Sequence, residues 1–397
     1  MDNSTTRSIV LSLYLPTFVL AFATGMLTPI MPLYARSFEI SYALVGLVLA
    51  AQGTGNLIGD IPAGIVLGKL GHKMTMLAGV SLYGLSITAM SFARTVPELI
   101  IFGLLAGIGN ALWNISRHAY LADAAPSAGR GKAIAVFGGI NRIGTFAGPL
   151  LGGALGAAFG LRVPFFLYAA VGAIALFFPL RFVERRGYRP PERGTMKEHF
   201  ALTGAMIREH FRSLTTAGSG QLFAQMIRSG RNIVIPLYAA DVLGLSVDQV
   251  GLVVGVAAAV DMSLFFVAGY VMDRFGRKFA YVPSFAIQGI GMALVPFTAG
   301  FGSLMVASSI IGLGNGLGSG TMMTLGADLA PVESRGEFLG VWRLIGDGGS
   351  AGGPMVVGAV ADLLGLSLAT FTIAGVGLLA AAMLGTLVPE TLQKKIV

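Results

Sequence analysis

Twelve times along its 397 residues the chain offers an apolar run long enough to cross roughly 30 Å of hydrocarbon. The runs lie near 8–34, 41–68, 74–93, 98–121, 132–157 and 163–182, and then near 214–240, 249–272, 278–299, 303–327, 336–361 and 367–388. Backbone groups in hydrocarbon find no water, so such runs must be helices or closed-barrel strands. The strict two-residue alternation of barrel strands is absent, which leaves an all-α membrane protein of twelve transmembrane helices. Composition agrees: 54% of residues are hydrophobic and 12% charged, and the mean hydropathy is +0.77. The first run is too long for a signal peptide, follows only Arg7 and lacks a small-residue cleavage site, so it reads as the first span.

Charge sets the orientation. Of the 27 Lys and Arg, Arg36, Arg94 and Arg162 fall on one side and Arg117, Arg142, Arg228, Arg231 and Arg343 fall within spans. The other 19 fall on the opposite side, which places both termini in the cytoplasm. The net charge of +8 is then explained by this bias toward anionic headgroups of the inner leaflet, and nucleic acid is not expected as a partner. With no Cys and four scattered His, nothing has metal-site or disulfide spacing, and no cofactor is expected. A phosphate-binding Gly-Lys-Ser/Thr loop is also absent, so neither an enzyme nor an ATP-driven pump is indicated.

The chain repeats itself. A shift of 205 residues superposes Gly107-Ile-Gly-Asn110 on Gly312-Leu-Gly-Asn315, Asp123 on Asp328, Arg130-Gly131 on Arg335-Gly336 and Gly148-Pro149 on Gly353-Pro354. Residues 1–182 and 214–397 therefore read as duplicated six-helix, pseudo-symmetric bundles. Between them, 183–213 reads as a charged cytoplasmic linker, in which Met196, Phe200, Ile207 and Phe211 would share one side of a helix on the membrane surface. Two such halves with substrate at their interface is the architecture of rocking secondary transporters.

Two stretches carry a family resemblance. GYVMDRFGRK at 269–278, with Gly269, Asp273, Arg274, Gly276, Arg277 and Lys278, resembles the loop signature of the major facilitator superfamily, here in its second-half form. GIVLGKLGHK at 64–73 keeps Gly64, Gly71 and Lys73 but has Gly68 where the later copy has Asp273. The glycines suit a tight inner turn, and the basic residues suit contact with headgroups. GTFAGPLLGG at 144–153, with Gly144, Gly148, Pro149, Gly152 and Gly153, is similar to the fifth-helix motif of that superfamily's twelve-helix drug/proton antiporters. GSAGGPMVVG at 349–358 repeats its core, so the pattern equally suits close packing and bending of helices. In the family the first-half acid locks the inner gate against the eleventh helix. With Gly68 in its place, either that lock is absent or another acid on the second span replaces it.

Ionisable groups at membrane depth are costly, and each is a functional candidate. They are Asp60 on the second span, Arg142 on the fifth, Asp261 on the eighth, and Arg343 and Asp347 on the eleventh. The family fold faces the second helix to the eleventh and the fifth to the eighth. The resemblance thus implies the pairs Asp60–Arg343 and Arg142–Asp261, with Asp347 near Asn56, as an interdomain gate and a place for proton coupling. The alternative is that these pairs only neutralise buried charge within fixed packing. Asp123 and Asp328 read as loop braces beside Arg130 and Arg335.

The resemblance also implies a cavity lined by the first, fourth, seventh and tenth helices. At helical spacing the fourth span offers Asn110, Asn114 and Arg117 with Trp113 beside them. The seventh offers Gln221, Gln225, Arg228 and Asn232, and the tenth Asn315, Ser319 and Met322. Amides such as Asn110 and Asn315 are equally suited to bonding between helices. Arg117 and Arg228, without a carboxylate in the middle of these spans, point to an anionic group on the substrate, or are instead held by backbone carbonyls or by Asp residues on adjacent helices. The expectation is a monomeric secondary transporter in the inner membrane of a prokaryote, exporting a small amphipathic or anionic compound in exchange for protons. Proton-coupled or facilitated uptake of an organic anion is the alternative, and a non-transporting sensor or lipid-moving protein on the same shell is an alternative of another class.

Overall fold

The computed structural model describes residues 10–124, 130–183 and 196–392, with side chains at all of these except 122, 130–135 and 196–200. These residues form helices and connecting turns, and no strand occurs among them. Eight helical segments are long and apolar enough to cross a membrane. One of the eight, Tyr42–Met90, runs 49 residues and contains Gly71 at φ 72°, so it is two spans meeting at a left-handed glycine. Arg130–Phe159, Phe211–Leu237 and Arg335–Leu364 have the length of spans but carry the charged, amide and glycine residues singled out above. Twelve spans result.

The chain divides into two compact units, one of Met1–Pro190 with Gly244–Gly255 and one of Pro191–Leu243 with Val256–Val397. Each unit uses one packing plan. In the first, the fifth span lies on the first, the sixth on the first and third, and the fourth on the second and third. In the second, the eleventh span lies on the seventh, the twelfth on the seventh and ninth, and the tenth on the ninth.

Glycine makes these approaches close. A Cβ on Gly144 would stand 2.7 Å from the Ala21 Cβ and one on Gly148 would stand 2.5 Å from the Met26 amide nitrogen, while one on Gly152 would strike the Met26 carbonyl. Gly349 and Gly353 sit likewise against Leu222, Met226 and Ser229 of the seventh span. Gly144, Gly148 and Gly152 of the fifth-helix motif therefore form the seam between the fifth and first spans, while Gly153 faces Val247 and Gly251, and the second-half copy forms the seam between the eleventh and seventh.

The halves differ in their breaks. The fourth span runs unbroken through Val96–Ala124, whereas the tenth, expected as one helix, divides into Phe301–Leu317 and Thr321–Leu329. The break spans Gly318 to Gly320, with Gly320 at φ 73°. The linker helix expected near the junction is Met196–Glu209. Of the residues expected on one side, Ile207 and Phe211 are both exposed, and the side chains of Met196 and Phe200 lie outside the described residues.

Candidate functional site

The two loop signatures are built alike. Gly71 and Gly276, 205 residues apart, both take left-handed backbone, at φ 72° and 127°. Gly64 and Gly269 instead lie within helices with no atom within 4 Å of an added Cβ, so only the later glycine of each copy is required by its turn. The basic residues do more than approach headgroups. Lys73 donates from Nζ to the Leu180 carbonyl at 2.6 Å and Lys278 to the Gly385 carbonyl at 2.8 Å, closing the C-terminal ends of the sixth and twelfth spans, where cations are favoured.

The acid that the first copy lacks also finds its role. Asp273 accepts from Arg277 Nη1 at 2.8 Å, and Arg277 Nε donates to Asp328 at 3.1 Å. Arg277 is therefore a cation shared by two acids. Its own burial disfavours its charge, but the hydrogen bonds it donates to Asp328 and Asp273, with the charges of those acids, outweigh this and raise its pKa. At the matching place in the first copy His72 meets Asp123 at 2.9 Å, with no second acid at position 68. Asp123 meets His72, and the side chain of Arg130, its expected neighbour, lies outside the described residues; Asp328 accepts from Arg277 and from the Thr391 hydroxyl.

Deeper in each unit an amide joins two spans. Asn110 Nδ2 donates to Asn56 Oδ1 at 3.1 Å in the first. In the second, Asn315 Nδ2 donates to Asp261 Oδ2 at 2.6 Å. The residues match under the same 205-residue shift, so the crosslink occurs in both halves, with an acid in the second where the first has an amide. The second unit adds a cation: Arg228 Nε donates to Asn315 Oδ1 at 3.1 Å and Nη2 to the Gly318 carbonyl at 3.0 Å. The Phe285 ring lies 5.2 Å from the guanidinium. The carbonyl Arg228 holds belongs to the break in the tenth span, beside the positive N-terminal end of Thr321–Leu329. A guanidinium, a helix N-terminus and an interrupted helix form a setting suited to an anionic group.

The other expected lining residues distribute as follows. Asn315 is 7% exposed and Ser319 and Met322 are buried, with the Met322 carbonyl accepting from Trp342 Nε1 at 3.0 Å. Gln221 and Gln225 lie against Gly346 and Gly349 of the eleventh span, and Gln221 Oε1 is buried without a hydrogen-bond partner among the described residues. Asn232 is exposed. In the first unit Trp113 is 2% exposed, within a core of Leu13, Leu20, Met76, Val80 and Leu121. Arg117 lies between its ring at 5.6 Å and that of Phe137 at 5.0 Å. Asn114 offers its carbonyl to His118 at 2.6 Å. On the eleventh span Arg343 stands 3.6 Å from Asp347, one turn away on its own helix. Asp60 and Arg142 are half-buried in the first unit.

Arg228 is held by a backbone carbonyl, one of the alternatives open from the sequence, while its link through Asn315 to Asp261 was not anticipated. The signal was present in the repeat, since position 261 matches Asn56 and position 315 matches Asn110. A cavity of about 630 Å³ lined by Tyr34, Phe38, Arg94, Phe159 and Arg162 lies at the end of the first unit away from the loop signature. It holds none of the candidate residues, and the chemistry described above lies elsewhere.

A family model described as the Major Facilitator Superfamily matches residues 13–218 and again 217–396. The chain belongs to the Major Facilitator Superfamily. It is a multi-pass membrane transporter, not an enzyme. An uncharacterised MFS-type transporter of Methanocaldococcus jannaschii is 23% identical over 359 residues, covering 90% of this chain and 92% of that one. The quinolone resistance protein NorA of Staphylococcus aureus is 21% identical over 356 residues, covering 88% and 89%. Among solved structures, a bacterial homolog to the human lysosomal transporter Spinster superposes with a TM-score of 0.77 at 17% identity, over 96% of this chain and 97% of that one. A POT family transporter in complex with a thioalcohol-conjugated peptide superposes at 0.80 with 14% identity, over 96% and 95%. At these identities the superpositions establish the fold.

Proposed function

We propose that this superfamily member is a proton-linked secondary transporter of a small organic compound bearing an anionic group, working by alternating access in the inner membrane of a prokaryote. Both termini are cytoplasmic and the monomer is the transporting unit. The observation that carries the anionic substrate is Arg228, held by Asn315 and by the carbonyl at the break in the tenth span. Export is the direction favoured by the resemblance to relatives named for drug resistance, the quinolone resistance protein NorA and a Bacillus subtilis protein named multidrug resistance protein 2, which is 26% identical over 193 residues, and exchange for protons is part of the proposal. Uptake of the anion together with a proton is the second reading, favoured by the link from Arg228 to Asp261. The gate in this reading is the pair of cross-half contacts Asp60–Arg343 and Arg142–Asp261, which form in one state and part in the other.

Thermal stabilisation of the purified protein by two panels, organic anions and lipophilic cations, tests the substrate class in the wild type and in Arg228→Ala. Stabilisation by anions that vanishes in the variant is the expected result. Stabilisation by cations alone, unchanged in the variant, would sink the anionic reading and leave cationic export in its place.

A further inference from the structure

Arg94 and Arg162 lie at the end of the first unit opposite its loop signature, where the chain keeps few cations. Of its 27 Lys and Arg, the sequence puts three at that end, Arg36, Arg94 and Arg162, and two of the three line the cavity of about 630 Å³ described above. Tyr34, Phe38 and Phe159 supply its aromatic wall, and none of the described residues that line it is acidic. A space of this size accepts a drug-sized molecule, and apolar walls with a few placed polar groups are the usual make-up of such a site.

The local build explains how both arginines come to stand here. The fifth span ends at Phe159, Gly160 turns the chain with left-handed backbone at φ 92°, and Arg162 is the residue before the sixth span, Val163–Phe182. The Tyr34 hydroxyl donates to the Met90 carbonyl at 2.8 Å, so its oxygen is left to accept, and Arg162 donates to it. That bond uses one of the five N–H donors of the guanidinium fork. Arg94 lies in the turn before the fourth span, Val96–Ala124, and its backbone N–H donates to the Glu98 carboxylate at 2.7 Å. Among the described residues of the unit, the acids at this end are Glu39, Glu98 and Asp248, and they are not part of the lining. Two cations that line one space without an acid repel each other, and a bound anion removes that cost.

We propose that this cavity is a second binding site, for an amphipathic anion whose carboxylate, phosphate or sulfonate is held by Arg94 and Arg162 and whose apolar body lies against Phe38 and Phe159. The site does not depend on Arg228, on proton coupling or on the direction of transport. Two sources present this chemistry at the height of the span ends: the headgroup region of an anionic phospholipid and a soluble organic anion. Arginine suits both, because its planar fork matches the oxygens of each acid group.

The second half supplies an internal comparison, with the same frame and none of the charge. Gly365, 205 residues after Gly160, takes left-handed backbone at φ 89°, and the Tyr238 hydroxyl donates to the Pro296 carbonyl at 3.3 Å much as Tyr34 does to Met90. Under the same shift Ala299 stands for Arg94 and Ser367 for Arg162, while Leu243 and Leu364 stand for Phe38 and Phe159. The turn and the tyrosine crosslink therefore form without arginines or aromatic rings around them. Those residues are additions to the frame in the first half.

Phe159→Trp in the full-length protein, held in lipid nanodiscs, places a fluorescent reporter in the cavity wall. Phe159 is 70% exposed, so a larger ring is accommodated there, and the chain's own Trp113 and Trp342 are buried and give a constant background. The soluble probe is 4-nitrobenzenesulfonate in phosphatidylcholine nanodiscs, and the lipid probe is brominated phosphatidylglycerol compared with brominated phosphatidylcholine. Both quench tryptophan at close range. The comparison is the same reporter carrying Arg94→Gln and Arg162→Gln, which keeps an N–H donor beside Tyr34 and removes both charges. Half-maximal quenching by the sulfonate is expected to need roughly tenfold more probe in that variant, a factor of about three for each exposed arginine. That result assigns a soluble anion. Stronger quenching by the phosphatidylglycerol probe than by the phosphatidylcholine probe, with the difference lost in the variant, assigns a lipid headgroup, and either result or both together supports the site. Quenching that is the same with and without the arginines overturns it. So does the absence of sulfonate quenching together with equal quenching by the two lipids. Arg228 is intact throughout, so a silent reporter leaves the anionic site proposed at Arg228 standing, to be judged by its own test.

Discussion

Gly318 is where the candidate site depends on the absence of a side chain. A Cβ there would run into the Ser284 hydroxyl and stand 3.1 Å from Arg228 Nη2, the atom that donates to the Gly318 carbonyl. Gly318→Ala is expected to cost roughly 1–3 kcal/mol of stability through overpacking and to displace the guanidinium, so that stabilisation by organic anions falls with it. Melting curves with and without the anion separate the two effects, and full anion stabilisation in the variant would show that this carbonyl does not position Arg228. Glu390 makes a second residue-scale case, outside the membrane. Its carboxylate accepts the backbone N–H groups of Arg277 at 2.8 Å, Lys278 at 3.0 Å and Leu392 at 2.9 Å. Partial burial pushes its pKa up, but these hydrogen bonds prevail and hold it below the usual 4.5. A lowered folded-state pKa means stability that is present above pH 4.5 and is lost as pH falls through the lower folded value. Glu390→Gln should therefore melt below wild type at pH 7, with the gap narrowing in acid below pH 4.5. A gap that stays constant with pH would mean that ionised Glu390 does not hold the loop.

At the scale of elements, the glycine seams make a sharper contrast. A Cβ on Gly148 would meet the Met26 amide nitrogen at 2.5 Å, backbone that cannot yield, whereas Gly64 has no neighbour within 4 Å. Gly148→Ala is expected to destabilise by at least about 1–3 kcal/mol, and Gly64→Ala to be neutral or stabilising by up to about 1 kcal/mol through helix propensity. Comparable melting temperatures for the two variants would mean that the fifth-helix motif is not a packing seam. The sequence made the spans legible because hydrocarbon demands uninterrupted apolar length, and the repeat made the two packing plans legible because one shift aligns both sets of glycines. The break in the tenth span was not legible. In GLGNGLGSG every glycine suits a packed helix equally well, and only the positive φ of Gly320 and the carbonyl taken by Arg228 distinguish a break from a seam. Trp113 shows a related limit. Spacing places it beside Asn110 and Asn114, but not what the opposite surface is, and that surface includes Gly79, whose missing side chain lets the Trp113 backbone approach.

At the scale of the whole molecule the duplication separates frame from function. Three contacts survive in both halves: lysine to a span's last carbonyls, position 72 or 277 to an acid, and the amide crosslink. The second half carries Asp273, Asp261, Arg228, Arg343 and the broken tenth span where the first has Gly68, Asn56, Ala23, Gly138 and an unbroken fourth span. Substrate and proton chemistry is therefore proposed to be concentrated in that half, with the first half supplying Asp60 and Arg142 to the gate. This asymmetry separates the two proposed gate pairs experimentally. Reversing Asp60 alone sets two cations together at the Arg343 contact, and a loss of only about 1.4 kcal/mol lowers flux tenfold. Reversing Arg343 as well restores the attraction, so flux of the stabilising anion into proteoliposomes should recover in the Asp60→Arg, Arg343→Asp double variant. At Arg142 and Asp261 the same exchange should fail. The arginine then at position 261 would face the Asn315 amide nitrogen, donor against donor, with Arg228 at the other end of that amide. Recovery at the first pair without recovery at the second is the expected pattern. Recovery at both would mean that Asp261 serves the gate alone, and failure at both would mean that neither contact forms during transport.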